Sequence, residues 1–362
     1  MKKIIPEGTR DYTFEECFKR NDIIEKIKYV FKLWGYREIS TPTIEYYDNF
    51  NNKTKTLKEE EMYKFFDNRG HILVLRPDMT VPVARMVATK LKDLNPPIKL
   101  YYCANIFRVH EMLAGGKNEY LDCGVELIGV EDKLSDLEVI VTAIETLKNV
   151  TKNNFKVDIG YVNILKTAMN EIFLDDESQE IIADLIEKKS LISLNEYIEK
   201  LEIKDEDKNF LKEFPNLFGE GDVFIKAKTL TKNTKVLESL LYIEELYKGL
   251  IKLGYEKYIS IDLAMVPRLD YYTGIIFRGY VDGIGRNVLR GGRYDGLIKS
   301  FGRNMPAVGF SIGVELLLDV INKEEFMSTK EISLDKDKLL DSMKEAIEST
   351  KNGEKVKLIY ER

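Results

Sequence analysis

Histidine, cysteine and tryptophan are scarce in this 362-residue chain, which holds two, three and one of them. The histidines, His71 and His110, stand far apart with no cysteine or acidic residue at ligand spacing, which argues against a metal site. Cys17, Cys103 and Cys123 are too few and too scattered for a disulfide scaffold or a CxxC site, so the chain reads as reduced and cytoplasmic. No window approaches the roughly 18 apolar residues of a membrane span. The opening MKKIIPEGTRDY has no apolar run behind its lysines and does not read as a signal peptide. No block of consecutive Lys or Arg appears and the net charge is −6, so the whole-chain field does not attract phosphate and tRNA is not expected as a partner. A Walker-type loop is also missing, because GGRYDG has neither the GxxxxGK spacing nor its Lys, and no GxGxxG joins a strand to a helix. No cofactor is expected.

What remains is ordinary globular material. An apolar fraction of 44% is ample for a core. The length suits one large domain with an insertion, or two to three smaller units. Apolar residues recur at helical spacing over 14–34, and Gly35 stops that helix. Tyr36–Pro42 alternates and reads as leading into a strand. Residues 72–76 and 99–104 are short apolar runs read as buried strands, with a helix over Val81–Lys92 between them. The 99–130 region reads as a hairpin, Leu100–Phe107 and Tyr120–Ile128 flanking a polar loop. Leu137, Ile140, Val141, Ile144 and Leu147 share a face of a helix over 136–150. From about 162 to 257 charge is dense and helical periodicity dominates, as in an inserted helical segment. Strand-like, glycine-bearing segments return at Ile259, and the polar tail from 326 holds a helix over 337–351 and a strand-like VKLIY.

Four places carry candidate chemistry. Pro77 forces its predecessor out of the helical region, so Asp78 begins a turn at a strand end. There a carboxylate holds an ammonium group, or merely caps the next helix. In GVELIG, strand alternation puts Asp122, Gly124 and Glu126 on one face. Two carboxylates on a buried face need partners, either an arginine such as Arg76 or Arg108 or a basic ligand. Tyr271 and Tyr272, read as strand residues, point to opposite faces, so at most one reaches a given pocket. Glu and Tyr together supply partners for both nitrogens of an imidazole. Asp175–Glu177 reads as an acidic helix N-terminus rather than a phosphate-binding loop.

Taken in order, GTRD at Gly8–Asp11, GYREISTPTIE at Gly35–Glu45, LRPDMT, IFR at Ile106–Arg108, GVELIG, RLDYYTG at Arg268–Gly274 and GGRYD…GF resemble the catalytic core of a histidyl-tRNA synthetase. LRPDMTVPVARMVAT resembles more closely a paralogous family, the regulatory subunits of ATP phosphoribosyltransferase. Coverage runs from about residue 5 to 320. The resemblance implies an α+β fold of the class II aminoacyl-tRNA synthetase type: an antiparallel sheet flanked by helices, with a helical insertion and a short C-terminal tail. The implied divisions are 1–161 and 258–325 for the core, 162–257 for the insertion and 326–362 for the tail.

The departures bear on catalysis. Arg108 remains, but His110 stands where the synthetases carry a Glu. The loop arginines are replaced at Gly116 and Asn118. Pro267 and Arg268 displace the histidine-specific Arg by one position, and Leu316 occupies the place of the last motif's Arg. Loss of one preorganised donor typically costs roughly 10²–10³ in rate, so several losses imply no useful adenylation. The chain also ends about 40 residues after that motif, which implies a shortened remnant where a synthetase has its anticodon-binding domain. The resemblance therefore implies a non-catalytic subunit that assembles with a short-form catalytic ATP phosphoribosyltransferase, dimerises through the Gly35–Glu45 motif, and senses L-histidine at the start of histidine biosynthesis. The histidine site so implied comprises Asp78, Thr80, Arg108, Asp122, Glu126, Arg268, Tyr271 and Tyr272. The alternatives are a truncated histidyl-tRNA synthetase and a paralogue activating histidine for another acceptor.

Overall fold

The computed structural model describes residues 4–51, 58–109, 117–266, 271–318, 330–334 and 339–360. Two compact units emerge, Met1–Val320 and Ile321–Arg362. In the first, helix α1 (Phe14–Leu33) is capped by a reciprocal Thr13–Glu16 pair and ends at Gly35, whose φ of +78° suits glycine. Strands β1 (Arg37–Glu38) and β2 (Ile44–Tyr46), helix α2 (Asp48–Asn51), and strands β3 (Lys64–Phe66) and β4 (Ile72–Leu75) follow. Helix α3 (Thr80–Thr89) leads to the long hairpin of β5 (Ile98–Phe107) and β6 (Glu119–Ile128), and then to helix α4 (Lys133–Thr151) and strand β7 (Phe155–Tyr161).

Six helices dominate the stretch that the charge pattern marks as inserted: α5 (Asn163–Glu171), α6 (Asp176–Glu187), α7 (Leu191–Glu199), α8 (Asp205–Glu213), α9 (Asp222–Thr229) and α10 (Thr234–Lys252). Asp175 caps α6 by accepting from Ser178 N–H at 2.7 Å, in keeping with the acidic-terminus reading. A short strand, β8 (Phe218–Gly219), interrupts them and pairs with β9 (Ile259–Asp262). The unit closes with β10 (Ile275–Val281), β11 (Leu289–Arg293), α11 (Leu297–Ser300), β12 (Ala307–Gly313) and α12 (Val314–Leu317). The second unit is a small β-α-β arrangement in which β13 (Lys330–Leu334) and β14 (Val356–Tyr360) pair in parallel and pack with α13 (Leu339–Lys351). Its first strand was not legible in the polar tail.

Nine strands form one sheet in the order β1-β5-β6-β12-β11-β10-β7-β9-β8, while β2, β4 and β3 make a separate antiparallel sheet. The large sheet is antiparallel apart from the β1–β5 and β7–β9 pairs. Strand pairing sorts its residues into transverse rows. Tyr101, Val125, Phe310, Gly291, Phe277 and Ile159 form one row. Phe31 of α1 packs on this face, its ring 5.7 Å from Tyr101 and 5.8 Å from Phe310. Gly291 belongs there because a Cβ would strike the Phe277 ring and Phe310 Cβ.

Two expectations change here. The segment Tyr36–Pro42 is strand only at Arg37–Glu38, with the Ile39 N–H still donating to the Tyr101 carbonyl at 2.9 Å, and beyond it the carbonyls of Thr41 and Pro42 accept from the Arg76 guanidinium. The cysteines are not all reduced: Cys103 and Cys123 face each other in the β5–β6 register and form a disulfide, leaving Cys17 free. Only the hairpin register brings together two positions separated by 20 in sequence.

Arg293 ties the sheet to its helices. Its guanidinium donates to Asp136 Oδ1 at 2.9 and 2.5 Å, to Ser135 Oγ at 2.7 Å, and to Asp295 Oδ1 at 3.2 Å. Tyr242 of α10 donates to Asp136 Oδ2 at 2.7 Å, so one buried pair joins β11, α4 and α10. Removing one member of a buried pair strands the other, at about 3–5 kcal/mol. Arg293→Met is expected to lower unfolding free energy by about 3 kcal/mol or more in urea titrations; a loss below about 1 kcal/mol would show that the network contributes little.

Candidate functional site

The face opposite α1 carries two neighbouring rows. One runs Leu100, Glu126, Gly309, Gly292, Ile276 and Gly160; the other runs Tyr102, Gly124, Ser311, Arg290, Arg278 and Asp158. Small residues in the middle of both rows leave a trough, and the large polar side chains stand around it. The result is a cavity of about 220 Å³ lined by Asp78, Thr80, Arg108, Asp122, Glu126, Tyr271 and Tyr272, together with Tyr102, Arg290 and Tyr294. Arg268, Pro267 and His110 lie outside the described residues.

Glu126 sits at the bottom, 2% exposed. The Tyr294 hydroxyl donates to its Oε2, and Thr80 hydrogen bonds to it as well. Burial lifts its carboxyl to about 8, the two hydroxyls pull it down, and Asp78 adds a smaller upward push. Among the described residues no Lys or Arg forms an ion pair with it. The site depends on Gly309, where a Cβ would overlap Glu126 Oε2 and the Val125 carbonyl.

Asp78 caps the next helix and also lies in the cavity wall. Its Oδ1 accepts from Val81 N–H at 3.0 Å at the start of α3, and the same side chain lines the cavity. Burial raises its carboxyl, with Asp122 adding to the rise, while the Val81 amide and the Arg108 and Arg290 charges oppose it.

Two expectations are corrected. Tyr271 and Tyr272 do not lie on a strand, because β10 starts at Ile275, and both line the same cavity. Their rings meet edge to face at 4.9 Å, and Tyr271 stacks on Tyr294 at 5.7 Å. Thr273 fixes this segment: its N–H donates to the Arg293 carbonyl at 2.8 Å and its hydroxyl to Asp295 Oδ2 at 2.9 Å. Arg76 is not a partner of the acids, since Nε and Nη1 donate to the carbonyls of Asn105, Thr41 and Pro42. Arg108 sends Nε to the Pro77 carbonyl at 2.7 Å. The arginine whose charge Asp122 supports is Arg290, which also bonds Tyr120. Burial disfavours that charge, but Asp122, Tyr120 and Tyr272 outweigh it and raise the guanidinium above its ordinary value.

Arg290, Tyr102 and Tyr294 are the residues that sequence reading missed. Strand parity with Gly292 would have put Arg290 on the glycine face, whereas Tyr102 is placed only by its pairing with Gly124. A second cavity of about 180 Å³ adjoins the first through Arg108, Asp122, Arg290 and Ser311, and adds Lys117, Arg286 and Leu316. Leu316 therefore presents hydrocarbon to a space whose wall carries Arg108, Lys117, Arg286 and Arg290 alongside Asp122 and Glu315. No group of three potential metal ligands occurs among the described residues, and no helix there is long and apolar enough to cross a membrane.

Comparison with known proteins follows this geometry. The family model for histidyl-tRNA synthetase matches residues 8–317. A Clostridium botulinum protein named ATP phosphoribosyltransferase regulatory subunit is 43% identical over 93% of this chain and 79% of its own. A Clostridium kluyveri protein of the same name is 41% identical over 91% and 85%. The chain belongs to the ATP phosphoribosyltransferase regulatory-subunit family. A crystal structure from Bacillus halodurans, described as an ATP phosphoribosyltransferase regulatory subunit/histidyl-tRNA synthetase, superposes with a TM-score of 0.90 at 31% identity, covering 99% of this chain and 93% of that one. Histidyl-tRNA synthetase from Nostoc shares the fold at a TM-score of 0.83 and 21% identity, covering 100% and 87%. The class II synthetase-like architecture expected of this family is the one observed.

Because the folded state holds Glu126's proton more tightly than the unfolded chain, its stability contribution is complete below about 4.5 and is lost as pH rises through about 8. The loss is on the order of a few kcal/mol. Glu126→Gln keeps the shape and an acceptor for Tyr294 without the charge. It should raise the unfolding temperature of the ligand-free protein at pH 8.5 and change it little near pH 5; an equal shift at both would show that the carboxylate's charge carries no cost.

Proposed function

We propose that the chain is the non-catalytic regulatory partner of a catalytic ATP phosphoribosyltransferase subunit at the first step of histidine biosynthesis, and that L-histidine is the effector taken up by the Glu126 cavity. Family membership supports the first half. The observation carrying the second is a buried carboxylate ringed by tyrosines and left without a cation among the described residues. An imidazole supplies what Glu126 lacks, one ring nitrogen meeting the carboxyl and the other a tyrosine hydroxyl. The ligand's ammonium group goes to Asp78, whose first oxygen serves α3 and whose second is the one an ammonium would use, with Thr80 and Asp122 close by in the lining. Asp78, Asp122 and Glu126 against Arg108 and Arg290 leave one formal negative charge, which a histidine with a protonated ring would balance.

The second cavity bears on catalysis. With Leu316 on its wall, the cationic clamp on a reacting phosphate lacks a member, and differential stabilisation of the transition state falls with it. If histidine weakens the active assembly, ligands of the active state weaken histidine binding by the same factor. A net charge of −6 goes against tRNA as a partner. Homodimerisation belongs to the same reading: the small sheet exposes Ile44, within the Gly35–Glu45 motif, and Tyr46, just after it, at 47% and 54%.

Assay of phosphoribosyl transfer by a short-form catalytic subunit, with and without this chain, tests the assembly. Activity should require the chain and fall when histidine is added. Activity independent of the chain, or robust histidine-dependent exchange of pyrophosphate into ATP by the chain alone, would sink the proposal. Calorimetry tests the site, and Glu126→Ala should weaken histidine binding at least tenfold with the assembly intact. Its pH dependence has a stated sign. Between the imidazole's ordinary value of about 6.5 and Glu126 at about 8, the pair shares one proton without exchange. Above about 8 a proton must be taken up and below about 6.5 one must leave, so affinity should peak between them and fall about tenfold per unit outside. A flat profile would remove the Glu126–imidazole contact.

A further inference from the structure

The histidine reading gives partners to the ring and the ammonium group but names none for the carboxylate, and the inference here rests on that reading. We propose that Arg290 receives the α-carboxylate of the bound amino acid, and so makes the cavity select a zwitterion over the corresponding amine.

Placement carries this. Arg290 and Glu126 lie on adjacent rows of the same face, with β12 between their strands. Their backbones are therefore about 9–10 Å apart across the sheet and about 7 Å apart along it. Side chains that stand up from the sheet side by side at those two points are about 12 Å apart and bracket a gap of amino-acid length. The floor between them is made of Gly124, Ser311, Gly309 and Gly292, with the Tyr102 phenol over Gly124 and the Tyr272 ring over Gly292. A Cβ at Gly292 would come within 2.6 Å of the Tyr272 ring, so the floor has no room for a larger residue.

Chemistry agrees with the placement. Arg290 lines both cavities and, by surface area, is an exposed residue of β11. Asp122 and Tyr120 hold it in position and favour its charge. A guanidinium has five N–H donors in a planar fork, and after these contacts it still has donors for a carboxylate. Arg108, the other arginine of the cavity, has committed Nε to the Pro77 carbonyl, and its guanidinium lies 6.0 Å from the Tyr120 ring.

Histidine and histamine differ by the carboxylate alone, so their affinity ratio isolates it. A charge-assisted contact of this kind is worth about tenfold to hundredfold. Calorimetric titration of the purified chain should show histidine preferred over histamine by that factor. Arg290→Met should bring the ratio near one, with histamine binding held or improved because Asp122 loses its cation. Arg290→Lys should restore part of the preference, and Arg108→Met should lower the ratio far less than Arg290→Met does. Persistence of the preference in Arg290→Met, its collapse only in Arg108→Met, or equal loss of both ligands would overturn the assignment. If the unaltered chain binds neither ligand, the histidine reading itself fails, and this inference with it.

Discussion

A carboxylate buried without a cation is the constraint on which this molecule is organised. Glu126 is inside the protein, bonded to hydroxyls, and lifted to about 8 by burial. Structural carboxylates of this chain are handled differently: Asp136 has Arg293, and Glu45 has Arg85 at 2.6 Å. Among the described residues Glu126 has hydroxyls where those acids have arginines, and its burial costs stability whenever it is charged. The glycine at 309, the tyrosine at 294 and the threonine at 80 all answer to that one side chain.

The large sheet makes this possible by having two unlike faces. Toward α1 its rows are aromatic and branched, and they close into a core around Phe31, Phe277 and Phe310. Toward the cavity the same strands present glycine and serine, so the sheet is thin there and long side chains from its margins fold over the gap. Register connects the two faces: a slip by one residue would send Glu126 into the aromatic core and Val125 into the trough. Arg293 resists such movement from the next strand but one, and its neighbours on either side, Gly292 and Tyr294, are both part of the cavity.

Much of this was legible in the residues and some of it was not. Helices with strong periodicity, such as α1 and α4, emerge close to where 3.6-residue spacing puts them, and the hairpin of β5 and β6 follows from two apolar runs around a polar loop. The pairing of Asp122 with Glu126 on one face needed only strand alternation. By contrast, Tyr271 and Tyr272 were read on a strand that does not begin until Ile275; the polar clasp from Thr273 to Asp295 holds them instead. Arg290 was overlooked because its meaning is lateral. It becomes part of the site through β12 and β6, and one strand's sequence carries no record of its neighbours. The bond between Cys103 and Cys123 escaped for the same reason.

Leu316 acquires a different significance beside Arg290. Three guanidinium groups and Lys117 already surround the space it faces. An arginine at 316 would add a fourth guanidinium to that wall, beside the carboxylates of Asp122 and Glu315. Charge at position 316 and charge at Arg290 are thus coupled through one shared space, and a substitution at either changes what the other costs.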